Sequence, residues 1–488
     1  MKNFIFSTLL IASPIYASPQ FENLSENLPQ HIYSGEWNHF VGGGVAVFDC
    51  NNDNLPDIFA AGGSSPSKLF INESEFKFKQ KNIPKITQTT GAYPLDINAD
   101  GYTDLFLLQI GQNILFKGGP DCSFTDATDE FKIPKSSQWS TSFSAWWMDN
   151  DLPYLAIGNY VDLDDPKGPF FACDTNQILE PKNNIYSSKK LEPGFCALSM
   201  LTAQDATGTK RLRISNDRQY YVRNGYEQMW DLEDQRFLTE DDGWDKFSIW
   251  GMGIASRDIT GDGRDEVVLT SMGDQLLRLA NTDGSYSNAP FDKGTYAHKP
   301  YFGDDGRPST GWHAQFSDIN NDGLADLFIA KGNVDQMPSN AIKDPNNLLI
   351  QNSNGSFQEV GLEAGIASLE RGRGAALADF DLDGRIDILV MNRRAPMEIY
   401  RNITKNTGNW LAIQLVQKGG NINAIGSRIT IGKDSQQVTI GGGHAGGQAL
   451  PIHFGLGDAH TAIINIEWPD GSLTEHNAKT NQIIKIHR

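Results

Sequence analysis

The sequence predicts an all-β protein: a seven-bladed β-propeller followed by a small C-terminal β-sandwich. Three observations predict it. An acid-rich loop recurs at steps of roughly one four-stranded blade, each strong copy is followed by a β-branched or aromatic run, and after residue 408 the repeat gives way to short strands separated by glycine-rich turns. Composition agrees. The 488 residues exceed one ordinary domain, and 39% hydrophobic with 21% charged is a soluble, globular balance. With 48 glycines, 22 prolines, 26 Phe, 14 Tyr and 10 Trp the chain suits a turn-rich β protein and excludes a coiled coil or helical bundle. A net charge of −19 works against nucleic-acid or anionic-membrane surfaces and favours cations as partners.

The first element is an export signal. Lys2 precedes an uncharged apolar run from Phe4 to Ile15, which ends at Ile15-Tyr16-Ala17 before Ser18, so residues 1–17 read as a signal peptide cut after Ala17. The run is shorter than the ~20 residues a spanning helix needs, and no other window approaches that length. The mature chain is therefore expected to be secreted or periplasmic, with no membrane span. Four cysteines in that setting, Cys50, Cys122, Cys173 and Cys196, allow three connectivities. Cys173–Cys196 is the expected bridge, because it brackets Asp174–Phe195, a stretch without strand periodicity that gains most from a staple. No CxxC or HxxxH spacing points to a metal at these thiols.

The propeller, residues 18–402, is carried by five loops that place oxygen side chains at loop positions 1, 3, 5 and 9. These are Asp49, Asn51, Asp53 and Asp57; Asp96, Asn98, Asp100 and Asp104; Asp258, Thr260, Asp262 and Glu266; Asp318, Asn320, Asp322 and Asp326; and Asp379, Asp381, Asp383 and Asp387. A hard cation such as Ca²⁺ takes six to eight oxygens, and a tight loop with alternate acids and a glycine turn can wrap them around one ion, with position 7 adding a carbonyl. An EF-hand would carry Glu at position 12 on a helix. Here that position holds Ala60, Leu107, Leu269, Ile329 and Val390, inside strand-like runs, so the loops join two strands instead. Upstream, Gly42-x-Gly44-x-Ala46, Gly251-x-Gly253-x-Ala255 and Gly372-x-Gly374-x-Ala376 give strands whose small residues permit close backbone packing.

Two weaker copies, Asp149–Tyr154 and Asp205–Thr209, lack a full ligand set but keep the spacing, so loop starts fall at 49, 96, 149, 205, 258, 318 and 379. That is seven blades. An isolated acid-rich loop is often only a solvated turn; five in one phase, each followed by a strand, point to cations. Their acids repel one another when no cation is bound, and about five Ca²⁺ would bring the net charge to about −9.

These repeats resemble the FG-GAP/VCBS type found in integrin α-subunits, where such loops hold Ca²⁺. Asn423-Ala-Ile-Gly-Ser427, His453-Phe-Gly-Leu-Gly457 and Trp468-Pro-Asp-Gly471 are similar to an ASPIC/UnbV domain. The order of the two resembles bacterial members of the cartilage acidic protein 1 family, as do Leu212–Arg218, Trp250–Ala255 and Arg371–Ala378. The resemblance implies Ca²⁺ at the strong loops and departs from the pattern in the third and fourth blades.

The last element is the tail, residues 409–488. Its strands read Trp410–Val416, Arg428–Ile431, Gln437–Ile440, Ile452–Leu456 and Ala462–Trp468, which fits a small sandwich. Gly441-Gly-Gly-His-Ala-Gly-Gly447 lacks the Lys-Ser/Thr of a phosphate loop and reads as a flexible β connection, with His444 not a site. Trp146, Trp147, Trp230, Trp244, Trp250 and Trp312 read as blade core, with a binding face as the other possibility. Val161–Met200 and Asn288–Thr310 have few strand signals and are expected to project from one face.

No HExxH, GxSxG or CxxCH motif is present, so no catalytic residue is assigned. The reading adopted is a secreted, Ca²⁺-stabilised binding or adhesion module for a protein or glycan ligand. The alternative is an extracytoplasmic propeller enzyme, a hydrolase, lyase or oxidoreductase with its site at the central channel and Ca²⁺ structural.

Overall fold

The computed structural model describes residues 18–488 apart from 149–151, 169–170, 184, 218–224, 297–306 and 336. The expected signal peptide and the start of the weak Asp149 loop lie outside the described residues. Alternation of apolar and small residues with turn-forming Asp, Asn and Gly produces short antiparallel strands throughout. Among the described residues they assemble into seven blade sheets, six of four strands and the first of five, and a two-sheet tail.

Each sheet follows one rule, seen in the first: inner strand Val45–Phe48, acid loop, second strand Asp57–Ala60, then Lys68–Asn72 and Phe78–Lys81 toward the outside. The inner strands of the remaining sheets are Thr89–Leu95, Ser140–Trp146, Ala197–Gln204, Gly251–Arg257, Gly311–Ser317 and Gly372–Ala378. Neighbouring inner strands pack side by side, and the last lies against the first, so the sheets are blades around a common axis. The N-terminal strand Phe21–Asn23 pairs with Glu398–Asn402 and becomes the outer strand of the seventh blade, joining the two ends of the ring. Blade-to-blade cores are apolar. Val45, Val47 and Phe70 of the first blade, for example, share a cluster with Ala376, Leu389 and Ile399 of the seventh.

The tail is a sandwich. A three-stranded sheet (Ile452–Gly457, Asn409–Val416, Gln482–His487) faces a four-stranded one (Asp434–Gln437, Arg428–Ile431, Thr461–Glu467, Leu473–Lys479). Leu411, Ile413, Ile429, Phe454, Ile464 and Trp468 fill the space between.

Several sequence expectations are corrected. Gln437–Ile440 is not a strand: pairing with Arg428–Ile431 runs over Asp434–Gln437, and Ile440 bridges to Ala145 in the third blade. Asp174–Phe195 is not a projecting loop, since Asn176–Lys182 and Ile185–Leu191 form the outer hairpin of the third blade. Its solvent face is Ser, Lys and Glu, which hides the apolar alternation. Of Asn288–Thr310, residues 297–306 lie outside the described set. Trp146, Trp230, Trp244 and Trp312 are buried, as blade core. Both cysteine pairs are bridged, Cys173 to Cys196 and Cys50 to Cys122, the second tying the first acid loop to the outer turn of the second blade.

The largest departure concerns the glycine-rich segment. It is not a flexible connection: residues 440–449 leave the sandwich and lie along the axis of the ring. Gly442 N–H donates to Met200 O (2.7 Å), Gly443 N–H to Ile254 O (2.7 Å), and Ala445 O accepts from Ala92 N–H (3.1 Å). Ile440 O accepts from Ala145 N–H (3.4 Å), and Gly447–Ala449 pairs in parallel with Ala46–Phe48. His444 N–H donates to His313 Nδ1 (3.1 Å) and Gln448 brackets the backbone of Leu377 (2.8 and 3.2 Å). One segment therefore bonds to the inner strands of all seven blades, from blade one at Ala46 to blade seven at Leu377. Glycines in those strands make the room: a side chain on Gly44 or Gly91 would collide with the Ala445 carbonyl. At the other end of the ring, Phe40, Trp139, Leu198, Met252 and Trp312, from five blades, pack into one apolar cluster.

Candidate metal centres

The five acid loops share one backbone geometry, dictated by their own carboxylates. The position-1 carboxylate accepts the N–H groups of positions 5 and 6, as in Asp96 with Asp100 (3.2 Å) and Gly101 (2.9 Å), Asp318 with Asp322 (3.0 Å) and Gly323 (2.7 Å), and Asp379 with Asp383 (3.0 Å) and Gly384 (2.7 Å). Asp49 and Asp258 do the same with Asp53 and Asn54 (3.2 and 2.8 Å) and with Asp262 and Gly263 (3.2 and 2.7 Å). Position 6 has φ between +68° and +87° in all five, the left-handed region where Gly, or Asn54, fits without strain.

The position-9 acid opens the second strand and accepts the position-2 N–H: Asp57 from Cys50 (3.0 Å), Asp104 from Ile97 (2.8 Å), Glu266 from Ile259 (3.0 Å), Asp326 from Ile319 (2.9 Å) and Asp387 from Phe380 (2.8 Å). Each loop is thereby closed at both ends by its position-1 and position-9 acids.

Negative charge is crowded and buried in these loops. Burial, helped by neighbouring acids, pushes Asp57, Asp104, Glu266 and Asp379 up to about 7. The fully buried Asp318, Asp326 and Asp387 are pushed well above the usual carboxylate range for the same two reasons. The fit to Ca²⁺ is tightest in the fifth loop. Asp379, Asp381 and Asp387 offer oxygens all within 4.8 Å of one another, and two oxygens sharing one Ca²⁺ at about 2.4 Å lie at most about 4.8 Å apart. Asp381 Oδ1 is buried without a hydrogen-bond partner, as is Asn98 Oδ1 at the same position of the second loop. Arg401 reaches Asp381 Oδ2 (2.7 Å), and Arg385 and Arg264 pair with Asp383 and Asp262, so arginines hold part of this charge.

The weaker copies differ. Asp205 folds onto its own loop, accepting from Thr207 and Thr209, and pairs with Arg211, which leaves no open acid set. The start of the Asp149 loop lies outside the described residues. The other close group of Cys and acid side chains, Cys50, Asp57 and Cys122, has its sulfurs joined in a disulfide.

Burial divides the five loops. The sandwich sits on the acid-loop face, over loops three to five. Gly408 N–H donates to Asn320 O (3.0 Å) and Gly457 N–H to Asn321 O (2.9 Å). His453 Nε2 meets Asn321 Oδ1 (2.8 Å), and Asn321 Nδ2 donates to Gly384 O in the fifth loop (2.8 Å). Beside the third loop, Arg257 pairs with Asp434 (2.7 Å), and the buried Asp265 accepts from Arg428 (2.8 Å) and Gln437 (2.6 Å). The first and second loops make no hydrogen bond to the sandwich among the described residues, and Asn51, Asp53 and Asp100 are exposed. Sequence reasoning missed Asn321, Asp265 and His444. Asn321 and Asp265 occupy variable loop positions, and His444 works through its backbone.

Residues 49–107 and 318–390 match the FG-GAP-like repeat, and residues 417–488 match the ASPIC and UnbV family. The chain carries FG-GAP-like repeats and an ASPIC and UnbV domain. Four of the five acid-loop ligand sets, those of the first, second, sixth and seventh blades, fall inside the repeat matches. Cartilage acidic protein 1 of Homo sapiens is 24% identical over 124 residues, 24% of this chain and 19% of that protein, and the Xenopus tropicalis protein is 26% identical over the same length. The match thus spans about a fifth of those relatives. Among solved structures, BBS1N in complex with ARL6DN aligns at TM-score 0.48 and 10% identity over 80% of this chain and 99% of that one. A lectin of Agrocybe aegerita, described for recognition of non-reducing terminal N-acetylglucosamine, aligns at TM-score 0.41 and 14% identity over 73% and 86%.

Proposed function

We propose that the protein is an extracytoplasmic binding module whose FG-GAP repeats hold about five Ca²⁺ ions and whose surface engages a protein or glycan partner. The observation that carries this reading is the fifth loop: three carboxylates converge within the span of one Ca²⁺, and one of their oxygens is buried and unpartnered. Four further loops repeat its hydrogen-bond geometry. In each, the residues at positions 1, 3, 5 and 9 would bind the ion, which would replace repulsion between acids by attraction and fix the turn between the two central strands of a blade.

Two disulfides and a basic, apolar N-terminal run support a compartment outside the cytoplasm. No helix among the described residues is long and apolar enough to cross a membrane. The enzyme alternative places its site in the central channel. Residues 440–449 and, at the far end, the Phe40–Trp139–Trp312 cluster occupy much of that space, which supports the binding reading.

The test is scanning calorimetry of the protein with Ca²⁺ and after chelation. An ion that binds only the folded state stabilises it by about 2.7 kcal/mol at a hundredfold excess over its Kd. A large upward shift of the melting temperature with Ca²⁺ is expected; identical transitions with and without Ca²⁺ would remove the reading.

A further inference from the structure

The acid loops differ in what lies on them, and this difference carries a further step. Loops four and five are built into the seat of the sandwich. Asn321 occupies position 4 of the fourth loop, between ligand positions 3 and 5, and its backbone conformation (φ +58°) is set by the closure of that loop. The same residue accepts Gly457 N–H through its carbonyl and meets His453 through its amide oxygen, while Asn320, itself at ligand position 3, accepts Gly408 N–H. Gly455 lies directly on the Asp318 carboxylate with no room for a Cβ, and the Trp410 indole lies on Gly384 in the same way. The sandwich therefore holds the loops by their ligand-bearing turns and closes over Asp318, which retains no exposed surface.

We propose that cation occupancy of the fourth and fifth loops governs the seating of the C-terminal sandwich on the propeller, so that the ion acts as a clasp between the two. This rests on the Ca²⁺ reading above. Carboxylates gathered and covered in this way repel one another unless a cation lies between them. When the ion leaves, the turn relaxes, which moves Asn320 and Asn321, the residues the sandwich grips. The first and second loops have the same ligand pattern but, among the described residues, make no hydrogen bond to the sandwich. Their ions fix local turns only. Residues 440–449 hold the sandwich by a separate set of bonds to the inner strands, so loss of the clasp loosens the seat over blades six and seven rather than releasing the whole tail.

The experiment is hydrogen exchange followed by mass spectrometry on the full chain, with Ca²⁺ and after chelation, with bound metal counted in the same samples. Peptides covering residues 407–411 and 453–458 are expected to exchange at least about tenfold faster after chelation, while the segment at 46–48 paired to 447–449 stays protected. Asp326→Asn should reproduce the exposure in the presence of Ca²⁺, and Asp104→Asn, at the same position of the second loop, should not. Chelation of the unsubstituted protein gives the answer even if a variant folds poorly. Loss of counted metal with unchanged protection at 407–411 and 453–458 would overturn the clasp while leaving the Ca²⁺ reading intact. Exposure caused equally by Asp104→Asn would also overturn it. Absence of bound metal in the Ca²⁺ sample would remove the earlier reading, and the clasp with it.

Discussion

The first and second acid loops and the fourth and fifth are near copies in sequence, yet they sit in different environments. Asp49 to Asp57 and Asp96 to Asp104 lie at the open edge of the acid-loop face, with Asn51, Asp53 and Asp100 exposed to solvent. Asp318 to Asp326 and Asp379 to Asp387 lie under the sandwich. The position-9 acids all lack exposed surface, yet they differ in degree: Asp57 and Asp104 are raised to about 7, whereas Asp326 and Asp387 go well above the usual range. One motif thus has two uses. Where it is open it shapes a turn, and where it is covered it also forms the floor on which another domain rests.

The largest effect expected from this contrast is chelation itself. Removing about five ions from sites filled well above their Kd should cost on the order of 10 kcal/mol, read as a fall in melting temperature, with the regions over blades six and seven loosening first. Next comes the axis segment. Gly44→Val drives a side chain into the Ala445 carbonyl and should cost about 3 kcal/mol or more in urea unfolding, whether or not Ca²⁺ is present. A loss that appears only in chelator would contradict the separation of axis and clasp.

Third, Asp326→Asn and Asp104→Asn should each remove one ion, but Asp326→Asn should cost about 3 kcal/mol and Asp104→Asn about 1 kcal/mol, because the first substitution alters a covered site. Equal losses would erase the distinction between the loops.

In Ca²⁺-saturated protein a pH effect should arise from buried histidines, two of which lie on the axis. Burial lowers His313 to about 4 and His444 to about 3, the latter helped by the nearby Arg373 and by His313. In the unfolded chain both take up a proton near 6.5, whereas in the folded chain they do so only below 4. Their contribution is complete above about pH 6.5 and is lost as the pH falls toward 4, by about 1.4 kcal/mol per pH unit for each residue. His313→Gln should flatten that slope in Ca²⁺-saturated protein. The smallest effect belongs to Arg401, which occupies Asp381 Oδ2; Arg401→Gln should tighten Ca²⁺ at the fifth loop a few-fold, seen by titration calorimetry.

Much of the architecture was legible because the repeat carries it. The acid spacing and the strand-like run after it locate the second strand of a blade almost to the residue, as at Asp57–Ala60 and Asp387–Asn392. Outer strands were harder to read. Ile185–Leu191 and Leu473–Lys479 alternate with charged and hydroxyl side chains on a solvated face, so the two-residue apolar period fades. The axis segment was misread for a different reason. Gly441 to Gly447 makes its contacts through backbone N–H and C=O groups, which leave no side-chain pattern, and a glycine run without partners in view resembles a flexible turn. Half of the signal was present in the small residues at Gly44, Gly253 and Gly374. Their close-packing role was readable, but what they pack against lay about 70 to 400 residues away in the chain. The candidate ligands were legible as a set, while the division between open and covered loops depends on a domain docking that no local pattern encodes.

The most direct test of the central claim is a count of bound Ca²⁺ per chain by native mass spectrometry, on the unsubstituted protein and on Asp381→Ala. About five ions are expected on the first and one fewer on the second. No bound Ca²⁺, or the same number on both proteins, would contradict it.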